Sequence, residues 1–313
     1  MSEGLFSQDS IACVWDFDLT LSPRYMQAPL FAAYGIDEDR FWQEVRGLSA
    51  HYRRAGLTHI ADDTMYLNHL LTYAQAGLLP GLDNQRLREL GAEIDFFPGL
   101  PDAFAQLKNY VRDLRCDVSL EHYVVSNGLA QMIRGSRLAP HLDGIWACEF
   151  IEHPAPPNYL TEPAEPTAPP LIQQFGYVID NTTKTRAIFE INKGSNRSDI
   201  DVNDAIPRQQ RRVPFEHMLY IADGPSDIPV FSLVRQNGGA TCAVYDPGNR
   251  ESFTKANRLL AQDRVHIHAP ADYRQGQPVW LWLTATIDDM VGRIQQRRQQ
   301  HLQRAVGKRP SSY

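Results

Sequence analysis

The chain has 313 residues, 43% of them apolar and 10% aromatic, which is enough to fill a packed interior and argues against a disordered protein. A formal net charge of −6 excludes a surface built throughout for nucleic acid. The length exceeds a usual single core and predicts a main domain with a smaller one.

The opening MSEGLFSQDS has no basic-then-apolar leader pattern, and no apolar run is long enough to span a bilayer. The four cysteines, Cys13, Cys116, Cys148 and Cys242, are too far apart for a CxxC pair or a zinc knuckle and read as reduced, buried thiols. These features predict a cytoplasmic protein with no nucleic-acid or membrane partner. They set no oligomeric state.

In chain order, IACVW (Ile11 to Trp15) reads as a buried strand that runs into DFDLT. From about Met26 to Leu90 every pattern is helical, as in DEDRFWQEVRGLSAHYRRA and DTMYLNHLLTYAQAGL. Within that block Phe41, Val45 and Leu48 read as core, and His51, His59 and His69 lack metal-ligand spacing. A helix over Leu100 to Leu114 precedes the strand EHYVV (Glu121 to Val125). A helix over Leu129 to Ala139 then precedes the strand IWACEF (Ile145 to Phe150).

His153 to Pro170 carries seven prolines, which exclude helix and sheet interiors, so a surface excursion is expected there. A helix over Thr182 to Asn192 leads into a polar loop, Gly194 to Arg212, whose arginines Arg208, Arg211 and Arg212 read as solvated. Strands MLYIA (Met218 to Ala222) and ATCAVY (Ala240 to Tyr245) flank the helix DIPVFSLVRQN, and an amphipathic helix with a frayed basic tail closes the chain. Strand–helix alternation of this kind predicts an α/β fold, a doubly wound parallel sheet of Rossmann-like type. The helical block would be an inserted cap over residues 22–95, with the core formed by 1–21 and 96–313.

Ligands of such sheets bind at the carboxyl ends of the strands. Asp16 and Asp18 follow the first strand. Ser126 follows another, with Asn127 and Gly128 expected to open a helix whose N–H groups favour an anion. Asp223 and Asp227 follow a third, and Lys184 lies in the first turn of its helix. Four carboxylates at one rim repel one another unless a divalent cation lies among them, and oxygen ligands with a substrate phosphate suit magnesium. Each residue also has a plain reading. Asp16 and Asp18 could begin a turn, while Ser126 and Asp227 could cap helices. Lys193 competes with Lys184, but Lys184 lies at the positive end of its helix.

The motifs resemble those of the haloacid dehalogenase (HAD) superfamily. DFDLT is similar to its DxDx[TV] signature, VVSNG to its second motif, Lys184 to its third and ADGPSD to its fourth, in the family order over residues 11 to about 245. The helical block resembles the C1-type cap of phosphoserine phosphatase-like members. The resemblance implies a magnesium-dependent phosphatase that hydrolyses a small phosphorylated metabolite through an aspartyl-phosphate. Asp16 would be the nucleophile and Asp18 the acid and then base. Ser126, Asn127 and Lys184 would hold the phosphoryl oxygens. Asp16, the Asp18 backbone carbonyl, Asp223 and Asp227 would bind Mg2+. A phosphomutase or phosphotransferase, or a non-catalytic phospho-ligand-binding regulator, are the alternatives on the same fold. Two departures stand out: Ala222 replaces the usual Gly, and SPRYMQ lacks the acidic residue that phosphoserine phosphatases place there. Arg24 is thereby left as a candidate contact for an anionic substrate.

Overall fold

The computed structural model describes residues 8–114, 116–161 and 168–306. Strand β1 (Ser10–Trp15) is buried along its whole length, so its apolar run shows no alternation. Four helices follow: α1 (Ala28–Tyr34), α2 (Glu38–Arg54), α3 (Met65–Gln75) and α4 (Asn84–Gly91). The carboxylate of Asp37 caps α2 by accepting the Arg40 N–H, and that of Asp83 caps α4 by accepting the Arg86 N–H.

Then come α5 (Asp102–Asp113), β2 (Ser119–Leu129), α6 (Ala130–Gly135), β3 (Gly144–Ile151) and β4 (Gln174–Tyr177). The chain continues through α7 (Lys184–Lys193), β5 (Met218–Ala222), α8 (Ile228–Gln236) and β6 (Ala240–Tyr245). It ends with α9 (Arg250–Ala261), β7 (Ile267–Pro270) and α10 (Pro278–Val306).

The sheet order is β4-β3-β2-β1-β5-β6-β7, parallel except for β4 against β3. From β1 the chain winds outward through β2 and β3, then returns to β5 and winds outward through β6 and β7. This is the doubly wound α/β fold expected, with the helical insertion after β1. The point where winding reverses lies between β1 and β5, where such sheets bind ligands. Under β1, Trp15 stacks on Phe104 at 4.9 Å and donates to His122 Nδ1 at 3.3 Å. The His122 proton therefore sits on Nε2, which faces the Phe104 carbonyl at 3.1 Å. Burial pushes this imidazole down to about 3, so it packs as a neutral ring.

Several local expectations need correction. Asn127 and Gly128 do not open a helix: β2 runs on through Leu129, and α6 is a short helix starting at Ala130. The β2–β3 register shifts between Val125 and Leu129, and pairing resumes at Leu129 with Cys148. Strands β4 and β7 carried no clear apolar run, being short and partly exposed. Of the three arginines expected to be solvated in the 194–212 loop, Arg208 is exposed, but Arg211 and Arg212 have protein partners. Arg212 forms a paired hydrogen bond with Glu121, and Arg211 donates to Asn192 Oδ1 and to the Ile206 carbonyl. Within the proline-rich stretch, residues 162–167 lie outside the described residues, as does the basic tail beyond 306. All four cysteines are buried and unbridged. Among the described residues, no helix is long and apolar enough to cross a membrane.

Helix α4, within the span expected as cap, packs on α6 of the core. A Cβ on Gly91 would overlap the Met132 backbone, and one on Gly135 would overlap the Arg88 backbone. Two glycines thus let the helices touch main chain to main chain. Asn84 Nδ2 adds a bond to the Phe150 carbonyl at 3.1 Å, and Leu82 accepts the Ile172 N–H at 2.9 Å.

Candidate active site

The chain turns sharply after β1. The Phe17 carbonyl accepts the N–H groups of Thr20, Leu21 and Ser22, and Leu19 adopts a left-handed φ of 59°, unfavourable for leucine. This turn separates two carboxylates that a continued strand would set side by side. Asp16, 5% exposed, accepts from Lys184 Nζ at 2.7 Å. Asp18 accepts the Met26 N–H at 2.8 Å.

Lys184 is 1% exposed and bridges Asp16 and Asp227, each at 2.7 Å. Asp227 also accepts from Tyr220 at 2.6 Å and Ser226 at 2.8 Å. Carboxylate oxygens of Asp16, Asp223 and Asp227 lie within 4.8 Å of one another. The Ser126 hydroxyl accepts the Gly128 N–H at 3.0 Å, so its proton is left to face the cleft.

Asp16, Asp18, Ser126, Lys184 and Asp223 line a cleft of about 320 Å³, which also includes Leu19, Tyr25, Asp63, Asn127, Asn181 and Lys255. The structure therefore brings together Asp16, Asp18, Ser126, Asn127, Lys184 and Asp223 at one opening, with Asp227 directly behind. It does not bring Arg24 there. Arg24 is ion-paired with Glu38 and lines a separate surface hollow beside Pro23 and Asp95.

Charge governs the site. Burial raises the Asp18 carboxyl to about 8, and Asp16 adds to the effect. Burial likewise raises Asp16, by more than Lys184 takes back, and lifts Asp223 well above the carboxylate range. Burial pulls the Lys184 ammonium down, but Asp16 and Asp227 outweigh it and hold it above the ordinary lysine value. Raised in this way, Asp18 and Asp223 favour the protonated form in the metal-free site, and ionising all four carboxyls needs more positive charge than Lys184, and Lys255 in the cleft lining, supply. The all-oxygen donor set and the unbalanced charge fit a hard divalent cation held by Asp16, Asp223 and Asp227.

Tyr220, Asn181 and Asp63 escaped the sequence reading. Tyr220 precedes Asp223 within a strand that read as wholly apolar, and Asn181 belongs to the Asx-rich turn DNTTK whose composition marks a turn but not its partners.

The chain matches no family model. It is 37% identical over 284 residues to an uncharacterized protein of Borreliella burgdorferi, covering 90% of this chain and 97% of that one. Among solved structures it is similar to a HAD-family hydrolase from Salmonella enterica serovar Typhi. The TM-score is 0.49 at 13% identity, covering 83% of this chain and 66% of that one. It is also similar to a phosphoserine phosphatase in apo form (TM-score 0.48, 16% identity, 83% and 92% covered). A probable phosphoserine phosphatase from Vibrio cholerae gives a TM-score of 0.47 at 12% identity, with 93% and 68% covered.

Proposed function

The chain belongs to one family with the Borreliella burgdorferi protein, and we propose that it is a HAD-type phosphoric monoester hydrolase that uses Mg2+ to hydrolyse a small phosphorylated metabolite. The observation that carries this reading is the rim where four carboxylates meet one buried ammonium, beside a serine hydroxyl and an amide. A phosphoryl group with a divalent cation answers both the excess negative charge and the free donors.

In this reading the Asp16 carboxylate attacks phosphorus, forming the aspartyl-phosphate as the bond to the leaving oxygen breaks. Asp18 gives its proton to that oxygen. It then takes a proton from the water that cleaves the aspartyl-phosphate, releasing phosphate and restoring Asp16. The Met26 N–H fixes one Asp18 oxygen and leaves the other for this exchange. Lys184, Ser126 and Asn127 hold the equatorial oxygens. Asp16, Asp223, Asp227 and the Asp18 backbone carbonyl would hold Mg2+, which supplies charge neutralisation on the phosphoryl oxygens. The cleft volume and the overlying helices favour a metabolite over a folded phosphoprotein.

The test is phosphate release from p-nitrophenyl phosphate and a panel of small phosphomonoesters. Turnover is expected with Mg2+, and not with Ca2+ or after chelation, because calcium takes more ligands at longer distances. No release from any member of the panel with Mg2+ present would reject the reading. Isomerisation of a labelled hexose phosphate without release would point to a phosphomutase instead.

A further inference from the structure

A ring of hydrogen bonds joins the cap to the rim, and of its four members only Asn127 belongs to a motif. Asp63, in the turn before α3, accepts the backbone N–H of Asn181 at 3.1 Å. Asn181 Oδ1 accepts from Asn127 Nδ2 at 3.2 Å. The Asn127 carbonyl accepts from the Tyr66 hydroxyl at 2.5 Å, and Tyr66 lies three residues beyond Asp63. The ring leaves the cap at Asp63, crosses two core segments and re-enters the cap at Tyr66.

Both core segments carry site residues. Asn127 directly follows Ser126 in β2. Asn181 lies in the turn that launches α7, where Asp180 accepts the N–H groups of Thr182 and Thr183 with its side chain. The Asp180 carbonyl accepts the Lys184 N–H at 3.0 Å. Tyr66 is 6% exposed, and burial holds its hydroxyl well above the ordinary phenol range, so it remains a donor. Within the core the two segments are joined by the Asn127–Asn181 amide contact and by Cys148, whose Sγ donates to the Asn127 carbonyl at 3.3 Å and accepts the Ile179 N–H at 3.4 Å. The cap adds the bonds of Asp63 and Tyr66 to these.

We infer that Asp63 and Tyr66 are positioning residues. With the cap seated, they fix the distance between the Ser126–Asn127 strand end and the turn leading to Lys184, and so set the phosphate-binding geometry. The inference rests on the phosphatase reading above. It also makes cap seating and phosphate binding reciprocal, since each favours the conformation the other needs.

The test compares Asp63→Ala, Asp63→Asn, Tyr66→Phe and the double variant Asp63→Ala/Tyr66→Phe. The readouts are kcat/KM on p-nitrophenyl phosphate, calorimetric affinity for inorganic phosphate with Mg2+, and amide hydrogen exchange over residues 180–185. Asp63→Ala and Tyr66→Phe should each lower kcat/KM and phosphate affinity about tenfold. Either one opens the ring, so the double variant should lose little more than the worse single. Asp63→Asn keeps an acceptor for the Asn181 N–H and should stay within about threefold of the parent. Tyr66→Phe should speed exchange at Asn181 although Tyr66 does not touch it. Multiplicative losses in the double variant, or unchanged exchange at Asn181 in Tyr66→Phe, would overturn the inference. If the parent hydrolyses nothing, the phosphatase reading fails, and phosphate affinity and exchange still decide the ring.

Discussion

Two clusters bury charge in this protein, and they are built on opposite principles. Towards the amino end of β2, Glu121 is 8% exposed and meets Arg212, with Arg197 at 3.6 Å and the Tyr123 hydroxyl at 2.7 Å. One carboxylate there has two guanidinium partners. At the carboxyl rim, Asp16, Asp18, Asp223 and Asp227 share one ammonium, Lys184. The first cluster ties the 194–212 loop to the sheet and is complete without a ligand. The second can ionise fully only when further positive charge is bound.

The sharpest way to separate the two is to neutralise one member of each. Asp16→Asn nearly preserves shape and should lower turnover by about four orders of magnitude, ~5.5 kcal/mol of barrier. The same change relieves repulsion, so thermal unfolding of the metal-free protein should hold or rise. Retained turnover within about tenfold would remove Asp16 from the chemistry. Arg212→Met should act in reverse. It leaves Glu121 buried with a poorer partner and should cost about 3 kcal/mol of stability, read by denaturant unfolding, with kcat changed less than about threefold. Unchanged stability would mean that Glu121 does not depend on this pair.

Linkage to pH sharpens the contrast further. The Asp18 carboxyl is raised from 3.8 to about 8 by burial and then by Asp16. The folded metal-free protein thus binds more protons than the unfolded chain between these values. The stability is fully present below about 3.8 and is lost as pH rises through about 8. Melting curves of the chelated protein should therefore fall from pH 5 to pH 8. Mg2+ binds the ionised carboxylates, so its stabilising effect should grow over the same interval. A metal effect that shrinks with rising pH would contradict the site as drawn. The smallest effect belongs to Arg24, which is 64% exposed and tied to Glu38 outside the cleft. Arg24→Ala should leave KM within about twofold, and a larger rise would return Arg24 to the substrate.

The residues whose gathering at one rim was legible in the sequence share one property: their signal is local. Apolar runs leading into Asp16, Ser126 and Asp223 stand out because burial and the sheet's carboxyl rim act within a few residues. Lys184 was separable from Lys193 because helix polarity is also local. What was missed depends on distant partners. Arg212 looked solvated because Glu121 is 91 residues away, and the Asp63–Asn181 contact spans 118 residues. The placement of Arg24 outside the cleft was hidden for the same reason, since closeness in sequence to Asp18 does not reveal an ion pair with Glu38. Strand β4 failed on a different count: at four residues with a glycine, it pairs only at the sheet edge and carries no buried stripe to announce it.

The glycine crossing of α4 on α6 bears on how such proteins can be rearranged. An exchange of lids cut at residues 22 and 95 would carry α4 away and strip the face of α6 that Gly91 and Arg88 cover. The portable unit is smaller and ends before Leu79 and Leu82, both wholly buried where the chain rejoins the core. Helices α1 to α3 form the portable part, provided that Asp63 and Tyr66 keep their bonds to the core. Helix α4 belongs with the sheet domain, and a chimera that respects that seam should remain intact where one cut at residue 95 falls apart.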